Sequence, residues 1–431
     1  MNKKETFNIS VLGANNCGKS TICGHMLLQL GLFSEDDFGI LEGDTCDLGH
    51  EGYEYAWITN NLQNERKRDL TIENHICMIE LEDRHLFLYD TPGHKRFLNQ
   101  SVKCAAFTGV YLIVLDESIL SVTENSKSGY MEFLKWKRIY EPRHTLVAVN
   151  KMDCKEISWS EDKFNQITEK FREMAKELEV DFTDVPFVPV SGFLGENLIK
   201  KGEKLNWYKG PTLLDALKQL PAIERYRDEP LRISVLKKYP LSGEGTVIDG
   251  IIVSGTLEEK EEINILPSSF ETVVNSIQFQ QKSVKSAIAG DLVGILLPKG
   301  AKSHLGVGSI IESKNNKILK KCKQIVANLH VIENCHKIKA GYSPPFYFHT
   351  ARLSSRIIKL TSQFDRKTGE LIKENPPFLV NGESCKVVIN LNKPLAVTTF
   401  EESNVLGKFI FRDHGMTLGY GYIIEVRESI N

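Results

Sequence analysis

The chain has 431 residues, with 54 Lys and Arg against 56 Asp and Glu, a formal net charge of −2 and a pI of about 6.6. At roughly 100–200 residues per domain this length requires several cores, while 41% hydrophobic and 26% charged residues exclude disordered, collagen-like and disulfide-scaffold classes. No apolar run approaches the roughly 18–20 residues of a membrane span, and the nine cysteines are odd in number with no C-x-x-C pair, so reduced thiols, a cytoplasmic address and no membrane partner are expected.

Residues 1–223 carry 26 basic and 34 acidic side chains and residues 224–431 carry 28 and 22, so an acidic part precedes a basic one. In the first part, apolar runs at Phe7–Leu12, Leu86–Tyr89, Val110–Leu115, Thr145–Val149 and Phe187–Val190 predict buried strands. Between the last two, Phe164, Ile167, Phe171, Met174 and Leu178 recur at 3- and 4-residue steps, one face of a helix, with Ser158 and Glu161 as its capping box. Strands alternating with helices predict a mostly parallel sheet with helices on both faces over residues 1–223. The polar, proline-bracketed stretch that follows predicts a linker at 224–230.

Beyond the linker the helical period fades. Leu231–Leu236, Thr246–Val253, Glu262–Leu266, Thr272–Phe279 and Leu292–Leu297 predict a β-barrel over 231–316. Lys323–Ile332, Phe346–Phe364, Cys385–Phe400 and Gly407–Val426 predict a second barrel over 317–431. Five lysines between Lys314 and Lys323 are either phosphate contacts or a solvated connector.

The first strand runs into Gly13-Ala-Asn-Asn-Cys-Gly-Lys-Ser-Thr21 and then a helix, which is G-x-x-x-x-G-K-[ST] in its strand-loop-helix setting. Gly13 and Gly18 let the backbone N–H groups of the loop through Asn16, Cys17 and Thr21 turn inward around phosphate oxygens, Lys19 reaches the terminal phosphates, and Ser20 offers a hydroxyl to Mg²⁺. Asp90-Thr-Pro-Gly93-His94 follows the next strand, placing a carboxylate for the magnesium shell and Gly93 for the γ-phosphate. Asn150-Lys151-Met-Asp153 ends another strand, where Asp153 can accept from guanine N1–H and the 2-amino group. Ser191-Gly192-Phe193 ends the next and offers backbone N–H to the base oxygen. Each fragment alone is also an ordinary strand-end turn; together and in this order they predict a GTP/GDP site. Thr71, after Glu65-Arg-Lys-Arg-Asp-Leu in a long polar region of little periodicity, is the expected switch residue that contacts Mg²⁺ and γ-phosphate.

With these motifs the chain resembles the translational GTPases, most nearly the elongation factor 1-alpha family, and the similarity runs over nearly its whole length. Tyr55-Ala-Trp57, Glu65-Arg66, Thr71-Ile72, Ala340-Gly-Tyr342, His349-Thr350, Asp365-Arg366 and Phe411-Arg-Asp413 add to it. The resemblance implies an α/β P-loop GTPase domain followed by two β-barrel domains, with GTP hydrolysis and GTP-dependent delivery of aminoacyl-tRNA to the ribosome. It also implies a nucleotide exchange factor as partner. His94, directly after D-x-P-G, is the implied catalytic residue, an imidazole able to orient the attacking water.

Several positions depart from the family pattern. Asn16 replaces an aspartate and yields G-x-x-N-x-G-K-S, similar to potassium-activated GTPases, so K⁺ joins Mg²⁺ as a candidate cofactor; a plain polar substitution is the other reading. Asn15 replaces a valine that gates the histidine, Asp69 replaces a glycine, and Cys17 is either an acidified thiol or a tolerated small residue. In the second domain Ile251 and Val253 replace an arginine and a glutamate that face the aminoacyl end in the family, and Gln280-Gln281 replaces a paired histidine. These changes favour a rival reading, a non-translational paralogue that keeps the GTP site and serves a structural or cytoskeletal assembly; a release- or rescue-factor-like GTPase, which shares the three-part body, is a third.

Overall fold

The computed structural model describes residues 4–122, 129–317, 319–333 and 336–428, which fall into two compact units, Met1–Ile223 and Glu224–Asn431. Among the nine cysteines, Cys335 lies outside the described residues and the other eight are free thiols. No described helix is long and apolar enough to cross a membrane.

In the first unit, β1 (Glu5–Gly13) leads into α1 (Lys19–Gln29), followed by α2 (Glu35–Leu48), α3 (Glu54–Thr59) and α4 (Gln63–Arg66). Then come β2 (His75–Glu80), β3 (Arg84–Asp90), α5 (Leu98–Ala105), β4 (Val110–Leu115), α6 (Gly129–Tyr140), β5 (His144–Val149), α7 (Glu161–Glu177), β6 (Phe187–Pro189) and α8 (Leu213–Lys218). The sheet order is β2-β3-β1-β4-β5-β6, parallel except for the antiparallel β2–β3 pair. Ile22, Cys23 and Met26 of α1 and Leu213, Leu214 and Leu217 of α8 pack on Phe7, Ile9, Val11, Leu112 and Leu146. On the other face the Tyr111 hydroxyl donates to the Ala105 carbonyl at the end of α5, at 2.7 Å. With both faces covered, the strands are continuous apolar runs, and for that reason the five expected strands lie within two residues of their predicted bounds.

Three local expectations are corrected. The edge strand β2 was not anticipated: in His-Ile-Cys-Met-Ile-Glu only Cys77 and Ile79 are buried, and the apolar Ile76 and Met78 face outward, which hides the alternation. The polar region before Thr71 is largely helical. α2 buries just Phe38, Leu41 and Thr45, too sparse a stripe to register as periodicity. The cap of α7 is Ser160, whose Oγ accepts from Lys163 N at 3.3 Å, and not Ser158. Ser158 and Trp159 have φ of 48° and 60°, in the left-handed region, whereas a cap needs the extended backbone that Ser160 has.

In the second unit an eight-stranded antiparallel sheet shares one core around Ile233, Val235, Ile248, Ile263, Ile277 and Ile295. The run expected at Thr272–Phe279 is two strands, Phe270–Val273 and Ser276–Phe279, paired with different neighbours, Glu262–Leu266 and Leu292–Leu297. Beyond it, strands Pro345–Phe348, Lys408–Asp413, Met416–Glu428, Lys320–Val331, Ser384–Val397 and Ala351–Phe364 pair in that order and close back on Pro345–Phe348, a six-stranded barrel. The predicted linker residues are pinned to the first of these sheets: buried Arg225 donates to buried Asp291 at 3.0 Å, and Gly255 N donates to the Tyr226 carbonyl at 2.7 Å.

Candidate functional site

The turn after β1 is shaped by steric necessity. Gly18 caps α1 at φ 92°, and a Cβ there would come within 2.2 Å of Asn150 Nδ2; Asn16 holds φ 61°. No side chain caps α1, so its first N–H groups face the cleft and favour an anion. Lys19 is buried and its Nζ donates to the Ala14 carbonyl at 2.8 Å. A Cβ on Gly93 would lie 2.5 Å from Lys19 Nζ and 2.6 Å from that carbonyl, so the turn after β3 passes directly over the first loop.

A cleft of about 390 Å³ opens here. Its lining joins Asn16, Gly18, Lys19, Ser20 and Thr21 to Thr71 and Gly93, and these to Asn150, Lys151, Asp153 and Phe193. Four motifs separated in sequence thus meet in one cavity. Gly13, Cys17, Asp90, Ser191 and Gly192 are buried just behind it. His94 is half-buried and is not among the lining residues; its Nδ1 accepts from Arg96 N at 3.3 Å, and its ring centroid lies 5.9 Å from that of Phe97. Cys17 is fully buried, and burial pushes its thiol pKa up against the pull of Lys19 and Lys151, the direction opposite to that of an acidified thiol.

The magnesium candidates converge. The hydroxyls of Ser20 and Thr71 are 3.0 Å apart, and Thr71 Oγ1 donates to Asn60 Oδ1 at 3.3 Å. Asp90 Oδ2 accepts from Thr59 Oγ1 at 2.9 Å, while Oδ1 is buried without a hydrogen-bond partner. Burial raises the Asp90 pKa against the pull of the Ser20 and Thr59 hydroxyls and the Lys19 charge. An unpaired buried carboxylate oxygen beside two hydroxyls is the donor set that a hard divalent cation takes, so these residues fit Mg²⁺.

On the base side, Asn150 Nδ2 donates to the Cys17 carbonyl and Oδ1 accepts from Gly192 N, both at 2.8 Å. Lys151, at φ 61°, pairs with Asp116 Oδ2 at 2.8 Å. Burial works to raise the Asp116 pKa, but the Lys151 charge and the hydrogen bonds from Lys151, Ser118 and Tyr130 together outweigh it and hold the carboxyl below its ordinary value. The Gly192 carbonyl accepts from His25 Nδ1 at 2.7 Å, and His25 stacks on Tyr55 of α3 at 4.0 Å. Beside Thr71, the buried Glu65 accepts from Ile72 N, Glu73 N and His75 Nε2 at 2.8, 3.0 and 2.9 Å, fixing the segment. Burial raises its pKa, yet His75 and the two N–H groups more than offset that and lower it.

Thr59, Asn60, His25 and Asp116 belong to the site and carry no sequence signal, because what selects them is a partner far along the chain. In the second unit, Ile251 is buried, and Val253 packs on Leu266, Ile310, Leu319, Ala396 and Leu406, an apolar junction between the two sheets. Lys314 pairs with Glu262 and Glu271 at 3.1 and 3.4 Å, and Lys317 with Glu271 at 2.7 Å, so these lysines are part of an intramolecular ion-pair network.

Residues 4–222 match the elongation factor Tu GTP binding domain, residues 245–312 elongation factor Tu domain 2, and residues 324–424 the GTP-eEF1A C-terminal domain-like family. The chain is 33% identical to elongation factor 1-alpha of Ignicoccus hospitalis over 435 residues, covering 100% of this chain and 98% of the relative. It is 30% identical to elongation factor 1-alpha of Plasmodium falciparum over 432 residues, covering 100% and 97%. Among solved structures, the GTP-bound GTPase-like domain of S. cerevisiae Ski7 superposes with a TM-score of 0.82 at 20% identity, covering 98% of each chain. Translation elongation factor SelB of Methanococcus maripaludis, in complex with a GTP analogue, gives 0.69 at 19% identity, covering 100% and 81%. The structural likeness is one of fold, and the family rests on the sequence matches: the chain belongs to the translational GTPases of the elongation factor Tu and elongation factor 1-alpha family.

Proposed function

We propose that this chain is a GTP-binding and GTP-hydrolysing switch of the elongation factor 1-alpha type, which delivers aminoacyl-tRNA to the ribosome in its GTP form and is recharged by a nucleotide exchange factor. The observation that supports the nucleotide half is the convergence of the four motifs on one cleft. Asp153 accepts from the guanine N1–H and 2-amino groups, with Asn150 tying the base side to the phosphate loop and the Ser191-Gly192-Phe193 turn. The free N–H groups of α1 and Lys19 hold the phosphates. Ser20, Thr71 and Asp90 hold Mg²⁺, which when bound neutralises charge shared by the β- and γ-phosphates. His94 acts by orienting water. With Nδ1 accepting from Arg96 N, Nε2 is the ring nitrogen left to carry a proton and donate.

Single-turnover hydrolysis of γ-labelled GTP tests this reading. Native protein should cleave GTP, and His94→Ala should lose most of the rate while keeping nucleotide affinity. Equal rates in the two would remove His94 from catalysis; no hydrolysis in either would leave a nucleotide-gated binding protein.

A second reading, a paralogue working in a structural or cytoskeletal assembly or as a release- or rescue-type GTPase, is favoured by one observation. Ile251 is buried and Val253 packs into an apolar junction where the family presents charge, while Lys314 and Lys317 are neutralised by Glu262 and Glu271. Nucleotide-dependent binding of charged tRNA separates the two.

A further inference from the structure

We infer that Thr59 is a positioning residue for the magnesium shell: it commits one oxygen of Asp90 to the protein and thereby leaves the other for the metal. This inference rests on the reading of Ser20, Thr71 and Asp90 as the Mg²⁺ group. Thr59 is the last residue of α3 and is buried, at 3% exposure. Oγ1 lies 2.9 Å from Asp90 Oδ2 and 3.1 Å from the Ala56 carbonyl. A hydroxyl has a single proton to give, and an ionised carboxylate is the stronger acceptor, so with Asp90 charged the bond goes to Oδ2. Oδ1 then remains the one oxygen of Asp90 without a hydrogen-bond partner.

The neighbouring residue extends the arrangement. Asn60 Oδ1 accepts from Thr71 Oγ1 at 3.3 Å, and Thr71 Oγ1 is 3.0 Å from Ser20 Oγ. Two consecutive residues at the end of one short helix therefore hold both the carboxylate and the switch threonine. The helix itself has little freedom to shift inward: a Cβ on Gly24 of α1 would stand 1.9 Å from the Tyr55 carbonyl, and Tyr55 stacks on His25 at 4.0 Å. α3 thus transmits its seat on α1 to the orientation of Asp90.

The rival account is a hydroxyl that merely back-bonds to the preceding turn, as Thr often does in helices. That role would alter folding stability and leave the metal alone. The test is the release of a fluorescent GDP from the full chain across a Mg²⁺ titration, with excess EDTA as the metal-free limit. Thr59→Val should raise the Mg²⁺ concentration needed to slow GDP release by about 10- to 100-fold, the usual cost of losing an outer-shell partner. GDP affinity in EDTA should be unchanged, and Thr59→Ser should restore native behaviour. Thr59→Ala serves in place of Val where Val does not fold. Asp90→Asn is run in parallel. If Asp90→Asn shifts the Mg²⁺ dependence and neither Thr59 variant does, the inference is overturned with the metal group intact. If Asp90→Asn shifts nothing, the metal group itself is wrong.

Discussion

The side-chain amide of Asn150 donates to the Cys17 carbonyl at 2.8 Å, so a residue at the end of β5 holds the phosphate loop in shape. Its oxygen accepts from Gly192 N, which ties this side chain to both the phosphate loop and the base turn. Asn150→Asp exchanges the donor for a carboxylate oxygen facing a carbonyl. Losing a buried bond and leaving its partner unpaired costs about 1–3 kcal/mol, so GDP affinity should fall roughly 10- to 100-fold in a fluorescence titration. Gly18→Ala should be at least as damaging, because its Cβ would strike the same amide at 2.2 Å and a φ of 92° strains any side chain.

Guanine selectivity should reside in Asp153, which lines the cleft. Asp153→Asn should weaken GTP and favour xanthosine triphosphate, whose N1/C2 edge presents the complementary pattern. Competition between the two triphosphates checks this, and unchanged GTP preference in the variant would count against the assignment.

Asn15 and Asn16 both line the cleft, and Asn16 is held at φ 61°. An amide oxygen there can help seat K⁺ against the phosphates and stabilise charge developing between them. GTP hydrolysis should run faster in potassium than in sodium at equal ionic strength, and Asn16→Asp should erase the difference. Identical rates in the two salts would reduce Asn16 to a polar substitution.

Acid sensitivity is expected from the second unit. Burial pushes the pKa values of His330 and His349 from 6.5 down to about 4. In the unfolded chain each titrates near 6.5, so between that pH and about 4 the unfolded state binds more protons. The stabilisation is complete above 6.5 and is lost as pH falls toward 4, at up to about 3 kcal/mol per histidine. Urea unfolding of the full chain at stepped pH should show this fall, and His330→Gln should flatten it.

The parts that sequence reading reached share a physical reason. Strands buried on both faces are unbroken apolar runs, and the nucleotide motifs are contiguous because a tight backbone turn demands local residues such as Gly18. β2 escaped because Ile76 and Met78 blur its alternation, and Ser158 displaced Ser160 as the expected cap because backbone dihedrals are not written in residue type. Thr59, Asp116 and His25 were illegible for a different reason: their partners stand 31, 35 and 167 positions away. Lys314, Lys317 and Val253 could be interpreted only once Glu262, Glu271 and the apolar junction were placed beside them.

Whether the protein is a GTP-gated carrier of charged tRNA is decided by tRNA affinity in the GTP and GDP forms across a salt titration. With Lys314 and Lys317 already ion-paired and an apolar pair at 251 and 253, phosphate contacts must come mainly from other basic residues in 224–431. Each such contact steepens the salt dependence, and several together cost orders of magnitude in affinity over a few-fold rise in salt. The GTP form should bind aminoacyl-tRNA weakly and with strong salt sensitivity, the GDP form should not, and Lys317→Ala should have little further effect. Absence of binding at low salt in both nucleotide states would contradict the carrier reading and leave the non-translational reading standing.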